Sequence, residues 1–203
     1  MAPSGPHGAD DTPWLVVGLG NPGPKYAGNR HNAGFLVADL LAERMGASFK
    51  RHRARAHVVS GRVAGCRALV AKPQTYMNDS GAAVGGLQGF YKVPLERLVV
   101  VHDELDVPYG ELRVKFGGGD NGHNGLRSIR RSLRTGEYPR VRFGVGRPPG
   151  QMDPVDYLLR DFSATERRDL SYLVDRTADA VESLLADGLE RAQNTYNTRP
   201  VVP

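Results

Sequence analysis

The chain has a single cysteine, Cys66, in 203 residues. It cannot form an internal disulfide, and neither a disulfide framework nor a thiolate metal site can be built from it. Cys66 opens the apolar stretch Cys66 to Ala71 and reads as a core residue rather than a nucleophile. This suits a reducing, cytoplasmic compartment. No run approaches the ~18 consecutive apolar residues that span a bilayer, so no membrane partner is expected. Residues 1–13 lack a basic start and an apolar stretch, and do not read as a secretory signal. There is no H-x-x-x-H and no paired Cys/His spacing, so no metal ligand set is expected. The P-loop pattern and the G-x-S-x-G elbow are both missing. Repeats and internal linkers are missing too.

What is present is an ordinary globular balance, 40% hydrophobic and 24% charged, long enough for one sizeable core. The net charge of +5 is unevenly spread. Residues 44–67 hold seven Lys/Arg and no acid, and residues 111–147 hold nine basic and three acidic residues. Clustered cations suit a polyanionic partner, because phosphates reward them. Charge alone does not decide between that partner and two solvated faces.

Hydrophobic periodicity divides the chain into alternating strands and helices. Trp14 to Leu19, Arg55 to Val63, Cys66 to Ala71, Arg97 to Val101, Glu111 to Phe116 and Arg140 to Gly146 read as strands. Asn29 to Met45 reads as a helix with Asn29 as N-cap, followed by helices Ser80 to Tyr91 and Asn124 to Leu133. Ala164 to Asp187 is a long helix with a Ser163/Glu166 capping box and a closing Gly188, and a shorter helix follows to about Asn197. This order predicts one α/β domain over 14–197, a twisted, mixed, mostly parallel sheet flanked by helices. Residues 1–13 and 198–203 are expected to be tails.

Gly18-Leu19-Gly20-Asn21-Pro22-Gly23 matches the dinucleotide-binding G-x-G-x-x-G. Its context fails. The helix should begin in the glycine turn, but Pro22 and Pro24 intervene, and no acid closes the next strand. No cofactor is expected.

Polar residues gather where elements meet: Asn21, Tyr26, His31 and Asn32; Gln74 to Asn78; His102-Asp103-Glu104; and Gly117 through Gly125. If these loops share one rim of the sheet, a His, an Asp and several Asn converge. His31, at a helix start, is the candidate base, because the positive helix end favours neutral imidazole. Asp103 would fix its tautomer and steady the imidazolium. Amide side chains can hydrogen-bond a developing oxyanion without a charge of their own. Three successive glycines before a helix start allow close approach of an anion. A mobile loop beside a solvated helix fits the same residues.

Together these segments resemble bacterial-type peptidyl-tRNA hydrolase. The matching stretches are Val17 to Gly23, Tyr26, Arg30 to Gly34, Lys72 to Gly81, His102 to Asp106, Gly117 to Gly119 and Gly122 to Leu126, in the family's order. Arg142 to Arg147 looks like the family's next strand. The resemblance implies hydrolysis of the ester between peptide and tRNA, without cofactor or covalent intermediate. It implies His31 as base and Asp103 as its orienting carboxylate. Asn21, Asn78 and Asn124 would bind the peptide part or position the water and scissile carbonyl, and Tyr26 and Met77 would wall the cleft. His123 would lie near the entry of the tRNA acceptor end, and Lys115 and Arg142 would clamp the 5′ phosphate. A monomer with no obligate protein partner is expected. Asp120-Asn121 departs from the family's usual glycine loop, and Arg147 to Gln151 reads as a lid-like loop. An RNA-binding relative without activity, and a hydrolase of another ester, remain the rival readings.

Overall fold

Leu15 and Val17 face one layer of helices, and Val16, between them, faces the other. A strand covered on both sides must be apolar at every position, as β1 (Trp14–Gly18) is. The structure is a computed structural model that describes residues 12–198. Most of the two expected tails, residues 1–11 and 199–203, lies outside the described residues.

The chain folds as α/β around one mixed seven-stranded sheet, in the order β2-β3-β4-β1-β5-β7-β6. Beyond β1 the strands are β2 (Lys50–His52), β3 (Ala56–Val63), β4 (Cys66–Pro73), β5 (Leu98–Glu104), β6 (Leu112–Phe116) and β7 (Pro139–Gly144). The central four, β4-β1-β5-β7, run parallel. The pairings β2–β3, β3–β4 and β6–β7 are antiparallel. Six helices complete the fold: α1 (Ala33–Arg44), α2 (Ser80–Tyr91), α3 (Asn124–Leu133), α4 (Pro154–Leu158), α5 (Ala164–Asp187) and α6 (Leu189–Tyr196). On one face α1, α4, α5 and α6 pack around Val16, Val70, Val99 and Phe143. On the other, α2 and α3 pack around Leu15, Val17, Leu69 and Val100. Burying each such Val or Leu contributes ~1.5–3 kcal/mol.

The long helix starts as its sequence requires: Ser163 Oγ accepts from Glu166 N–H, and the Glu166 carboxylate accepts from Ser163 N–H. Its buried stripe includes Leu173, Val181, Leu184 and Leu185. Arg44 at the end of α1 reaches Asp175, Asp179 and Glu182 on α5, tying the two helices together. Cys66 is half-buried against the same core, and its Sγ donates to Leu185 O at 3.4 Å.

Two expectations need correction, and two short elements had no counterpart in the sequence reading. Asn29 does not cap α1. Its Nδ2 donates to Asp161 Oδ1 at 2.7 Å, and a 3-10 turn, Arg30–Asn32, precedes the helix. The fifth strand does not stop at Val101 but continues through His102 and Asp103, because those residues ladder with Arg142 and Phe143 of β7. The polar triplet of β2 is a strand because it pairs with His57 and its neighbours. The short α4 begins at an Asp153 cap followed by proline, after the loop read as a lid.

Helix α1 lies close on β1 because Gly18 and Gly34 leave room for backbone against backbone. A Cβ on Gly34 would fall well inside van der Waals contact of Leu19 N and Val101 O. Overpacking typically costs ~1–3 kcal/mol, and here only backbone could yield. Gly34→Ala is therefore expected to lose about 3 kcal/mol or more of stability, read as a lowered urea midpoint. A midpoint within error of the parent would show that α1 can move away from the sheet.

Candidate active site

The carboxyl ends of β1, β4, β5 and β7 open on one rim, where ligands of such sheets bind. Asp103, near the end of β5, is fully buried and has no solvent to satisfy it. Its partners are two histidines. His31 Nδ1 lies 2.9 Å from both carboxylate oxygens, and His123 Nε2 lies 2.9 Å from Oδ1.

These contacts fix both tautomers. His123 caps α3, its Nδ1 accepting from Gly125 N–H at 3.1 Å and Leu126 N–H at 3.4 Å. The nitrogen facing Asp103 is then its N–H. His31 likewise donates from Nδ1 to the carboxylate, which leaves Nε2 with its lone pair. Among the described residues nothing hydrogen-bonds that nitrogen.

The electrostatics follow from the burial. Desolvation pushes the His31 pKa down, but the charge of Asp103 and its hydrogen bond outweigh it, and the net shift is upward. His31 lies in the 3-10 turn before α1 rather than in the first turn of that helix, and its net shift is opposite to the one expected from a helix N-terminus. Burial pushes Asp103 up, yet the two histidines hold it well below the usual carboxylate range. His102, on the other face of β5, is wholly buried and held well below 6.5. It donates from Nδ1 to Asp103 O at 2.7 Å and sets its ring 5.0 Å from that of His123.

His31, Asp103, His123 and Asn124 line one cleft, closed on the far side by Pro154, Val155 and Leu158 of α4. Its volume is about 70 Å³, several times what one water needs. Asn124 is exposed there, and its side chain is uncommitted among the described residues. Asn21 is buried and held from three sides. Its N–H donates to Asn32 Oδ1 and its C=O accepts from Asn32 Nδ2, both at 2.9 Å. Its Oδ1 accepts from Met77 N–H at 2.8 Å. Only its amide NH₂ is left to donate.

Met77 is buried, with Sδ against Gly125, the residue after Asn124. Asn78 follows it, exposed, in the 3-10 turn Met77–Asp79. Tyr26 is not among the cleft residues. It packs edge-on to the exposed Tyr76, with ring centroids 6.5 Å apart.

Lys115 and Arg142 stand apart, on β6 and β7. Arg113 pairs with Arg142 and Lys115 with Arg140, so all four share one face. Burial lowers the Lys115 pKa, and the nearby Arg142 and Arg140 charges lower it further. Arg142 Nε is buried without a partner. Arg140 donates to the carbonyls of Gly118, Gly119 and Gly136 and so anchors the glycine loop beside this group.

His31, Asp103 and His123 also bring ligand-type atoms within 4.8 Å of one another. Two imidazoles and a carboxylate suit a divalent transition metal. The capped His123, however, uses Nε2 as a donor, so hydrogen bonds already account for the contacts. Three supporting residues had no assigned role in the sequence. Asn32 holds Asn21. Arg30 bonds Glu166 at 2.7 Å and lies over the Tyr157 ring, fixing the turn that carries His31. Glu104 accepts from Asn121 at 2.8 Å, tying the glycine loop to β5. Their only signal was adjacency to the histidine, aspartate and glycine motifs.

No helix among the described residues is long and apolar enough to cross a membrane. A family model described as peptidyl-tRNA hydrolase matches residues 15–202. A peptidyl-tRNA hydrolase of Frankia casuarinae is 63% identical over 187 residues, 92% of this chain and 95% of that one. One from Streptomyces coelicolor is 63% identical over 192 residues, 92% and 96% of the two chains. A crystal structure of a peptidyl-tRNA hydrolase with N-propanol superposes with a TM-score of 0.88 at 33% identity, covering 95% of this chain and 98% of that one. The enzyme from Acinetobacter baumannii gives 0.86 at 34%, covering 93% and 96%.

Proposed function

The chain belongs to the peptidyl-tRNA hydrolase family and hydrolyses peptidyl-tRNA; we propose that His31, backed by Asp103, is the general base of that reaction. The observation that carries this is the placing of His31 Nδ1 against both Asp103 oxygens, which leaves Nε2 with an unengaged lone pair at the cleft. His31 Nε2 takes a proton from water. The hydroxide oxygen attacks the ester carbonyl between the peptide and the terminal ribose. The imidazolium then gives its proton to the departing ribose oxygen, and the free acid and tRNA leave. Asp103 stabilises the imidazolium in between.

The NH₂ groups of Asn21, Asn78 and Asn124 are the neutral donors for the carbonyl and its oxyanion. Met77 contributes apolar wall; Tyr26, packed on Tyr76 outside the cleft, is read as wall for the part of the substrate that extends beyond it; and His123 holds Asp103 near where the acceptor end enters. We place the catalytic domain at 14–197 and read the protein as a cytoplasmic monomer with no metal in its mechanism. The test is hydrolysis of N-acetylaminoacyl-tRNA against free aminoacyl-tRNA, with chelator present. Cleavage of the blocked substrate alone is expected. Activity that vanishes with chelator would hand the cluster to a metal.

Lys115 and Arg142 are proposed to clamp the 5′ phosphate of the acceptor arm. Glu104 lies 3.7 Å from Arg142 and offsets part of this charge, but Lys115, Arg140 and Arg142 still crowd one another, which an anion relieves. Losing one cation should flatten the slope of log affinity against log salt by ~0.7–0.9 per phosphate contact. Lys115→Ala and Arg142→Ala are accordingly expected to raise KM and weaken its salt dependence, with kcat nearly unchanged. A fall in kcat at constant KM would place them in the chemistry instead.

A further inference from the structure

We propose that the β2–β3 turn and the adjoining end of α2 form a second RNA-binding surface, on the opposite edge of the sheet from Lys115 and Arg142. The inference rests on the peptidyl-tRNA reading and extends it, by giving the body of the tRNA a second place to lie.

The basic run 44–67 is not one patch. Arg44 is spent on the α5 carboxylates. Arg62 and Arg67 pair across the strands near the far end of the β3–β4 hairpin, next to Val63 and Cys66. What remains is Lys50, Arg51, Arg53 and Arg55, all exposed. Among the described residues no carboxylate pairs with them. Their position is the active-site rim. Ala56, at the start of β3, pairs with Pro73 at the end of β4, and Gln74 N–H donates to Arg55 O at 2.8 Å. Three residues further on is Met77, which is bonded to Asn21. From β3 to β6 the sheet spans five strand spacings, about 24 Å at ~4.8 Å each. That is within reach of a folded RNA arm but not of a single terminal nucleotide.

The chemistry of the surface suits RNA. Arg53 lies 4.7 Å over the ring of Phe90, whose other neighbours are His52 at 4.9 Å and Tyr91 at 4.8 Å. Phe90 is nonetheless 48% exposed. Beside it, Gly85, Gly86 and Gly89 of α2 floor a shallow groove with Arg53 and His52 on its bank. A Cβ on Gly89 would meet nothing within 4 Å. Gly85 and Gly86 are partly covered by Ser132 and Ala54, but an exposed aromatic face, backbone laid bare at Gly89 and unpaired arginines are what a base and its phosphates use. The turn keeps its charge at a cost. Arg55 has φ 56°, the left-handed position that a three-residue hairpin loop normally gives to glycine. A residue held against that preference is a pointer to function.

The experiment compares the parent with Arg51→Ala/Arg53→Ala/Arg55→Gly and with Phe90→Ala. Uncharged tRNA binding is measured across a salt series, alongside hydrolysis of N-acetylaminoacyl-adenosine, too small to reach the turn. All sites are exposed, and Arg55→Gly relieves strain, so thermal midpoints should hold. We expect the triple variant to bind tRNA at least ~10-fold more weakly at low salt, with a slope shallower by ~1.5–2.5. Phe90→Ala should weaken binding ~5-fold or more, one stacked base. Both should cleave the small ester at the parent rate. Unchanged tRNA affinity and slope would overturn the proposal. So would an equal loss on the small ester, which would mark general damage, or a loss that grows with peptide length on a fixed RNA, which would mark a peptide site. If the parent failed to cleave blocked aminoacyl-tRNA while the variants still lost tRNA affinity, the hydrolase reading would fall and this surface would stand.

Discussion

Replacing His31 with alanine is expected to lower kcat on N-acetylaminoacyl-tRNA by ~10²–10⁴-fold, the usual contribution of a positioned base. That corresponds to about 3–5 kcal/mol of transition-state stabilisation. The tRNA should still bind, because the cations on β6 and β7 do not touch His31. His31 is buried, so the alanine leaves a void, and tRNA affinity and thermal midpoint must be read beside turnover. Loss of turnover with both retained isolates the chemistry. Near-parental turnover would mean that water is activated by another group, and not by His123, whose two nitrogens are both engaged.

Asp103→Asn is expected to cost a similar ~10²–10⁴-fold in kcat, through geometry as much as charge. Asp103 accepts from two N–H groups at once, His31 Nδ1 and His123 Nε2. An amide offers one acceptor oxygen and one NH₂. His123 cannot adapt, since backbone amides hold its Nδ1. The asparagine oxygen therefore turns to His123 and its NH₂ to His31. That NH₂, in the Oδ2 place 2.9 Å from His31 Nδ1, competes with the shared oxygen and favours the tautomer with hydrogen on Nε2, which cannot take a proton from water. His123→Ala removes the competition. In the double variant the asparagine oxygen is free for His31, so part of the activity lost in Asp103→Asn should return. Additive losses would show that charge, not tautomer, is what Asp103 supplies.

Much of this site was legible because its residues sit in contiguous motifs at element ends. That His31, Asp103 and Asn124 share one cleft needed only the assumption that the loops share a rim; Asn21 and Met77 bond to each other but do not line it. The fold class was legible for the same reason: β-branched runs such as Val99 to Val101 alternate with helical stripes. What the sequence hid was non-local. Hydrophobicity stops at Val101, so the strand seemed to stop there, but β7 supplies partners for His102 and Asp103. Asn29 has the chemistry of a cap, and only the fold brings Asp161 to it, 132 positions away. Lys50–His52 carries no strand pattern and acquires one from β3. The charge count found a basic segment in 44–67 but could not see that Arg44 is already neutralised by α5. The sign of the His31 shift was hidden likewise, since burial and a buried carboxylate pull in opposite directions.

That sign gives the most direct test of the central claim, that His31 is a base made strong by Asp103. The measurement is kcat/KM for N-acetylaminoacyl-tRNA against pH, for the parent and for Asp103→Asn. His31 must be neutral to act, so activity falls as pH drops through its pKa. With Asp103 present that pKa is raised above 6.5, and the acid limb of the parent should lie above that value. With the carboxylate gone only burial remains, which lowers it, and the limb of the residual activity should move to lower pH. A limb that stays in place, or moves upward, would contradict the account.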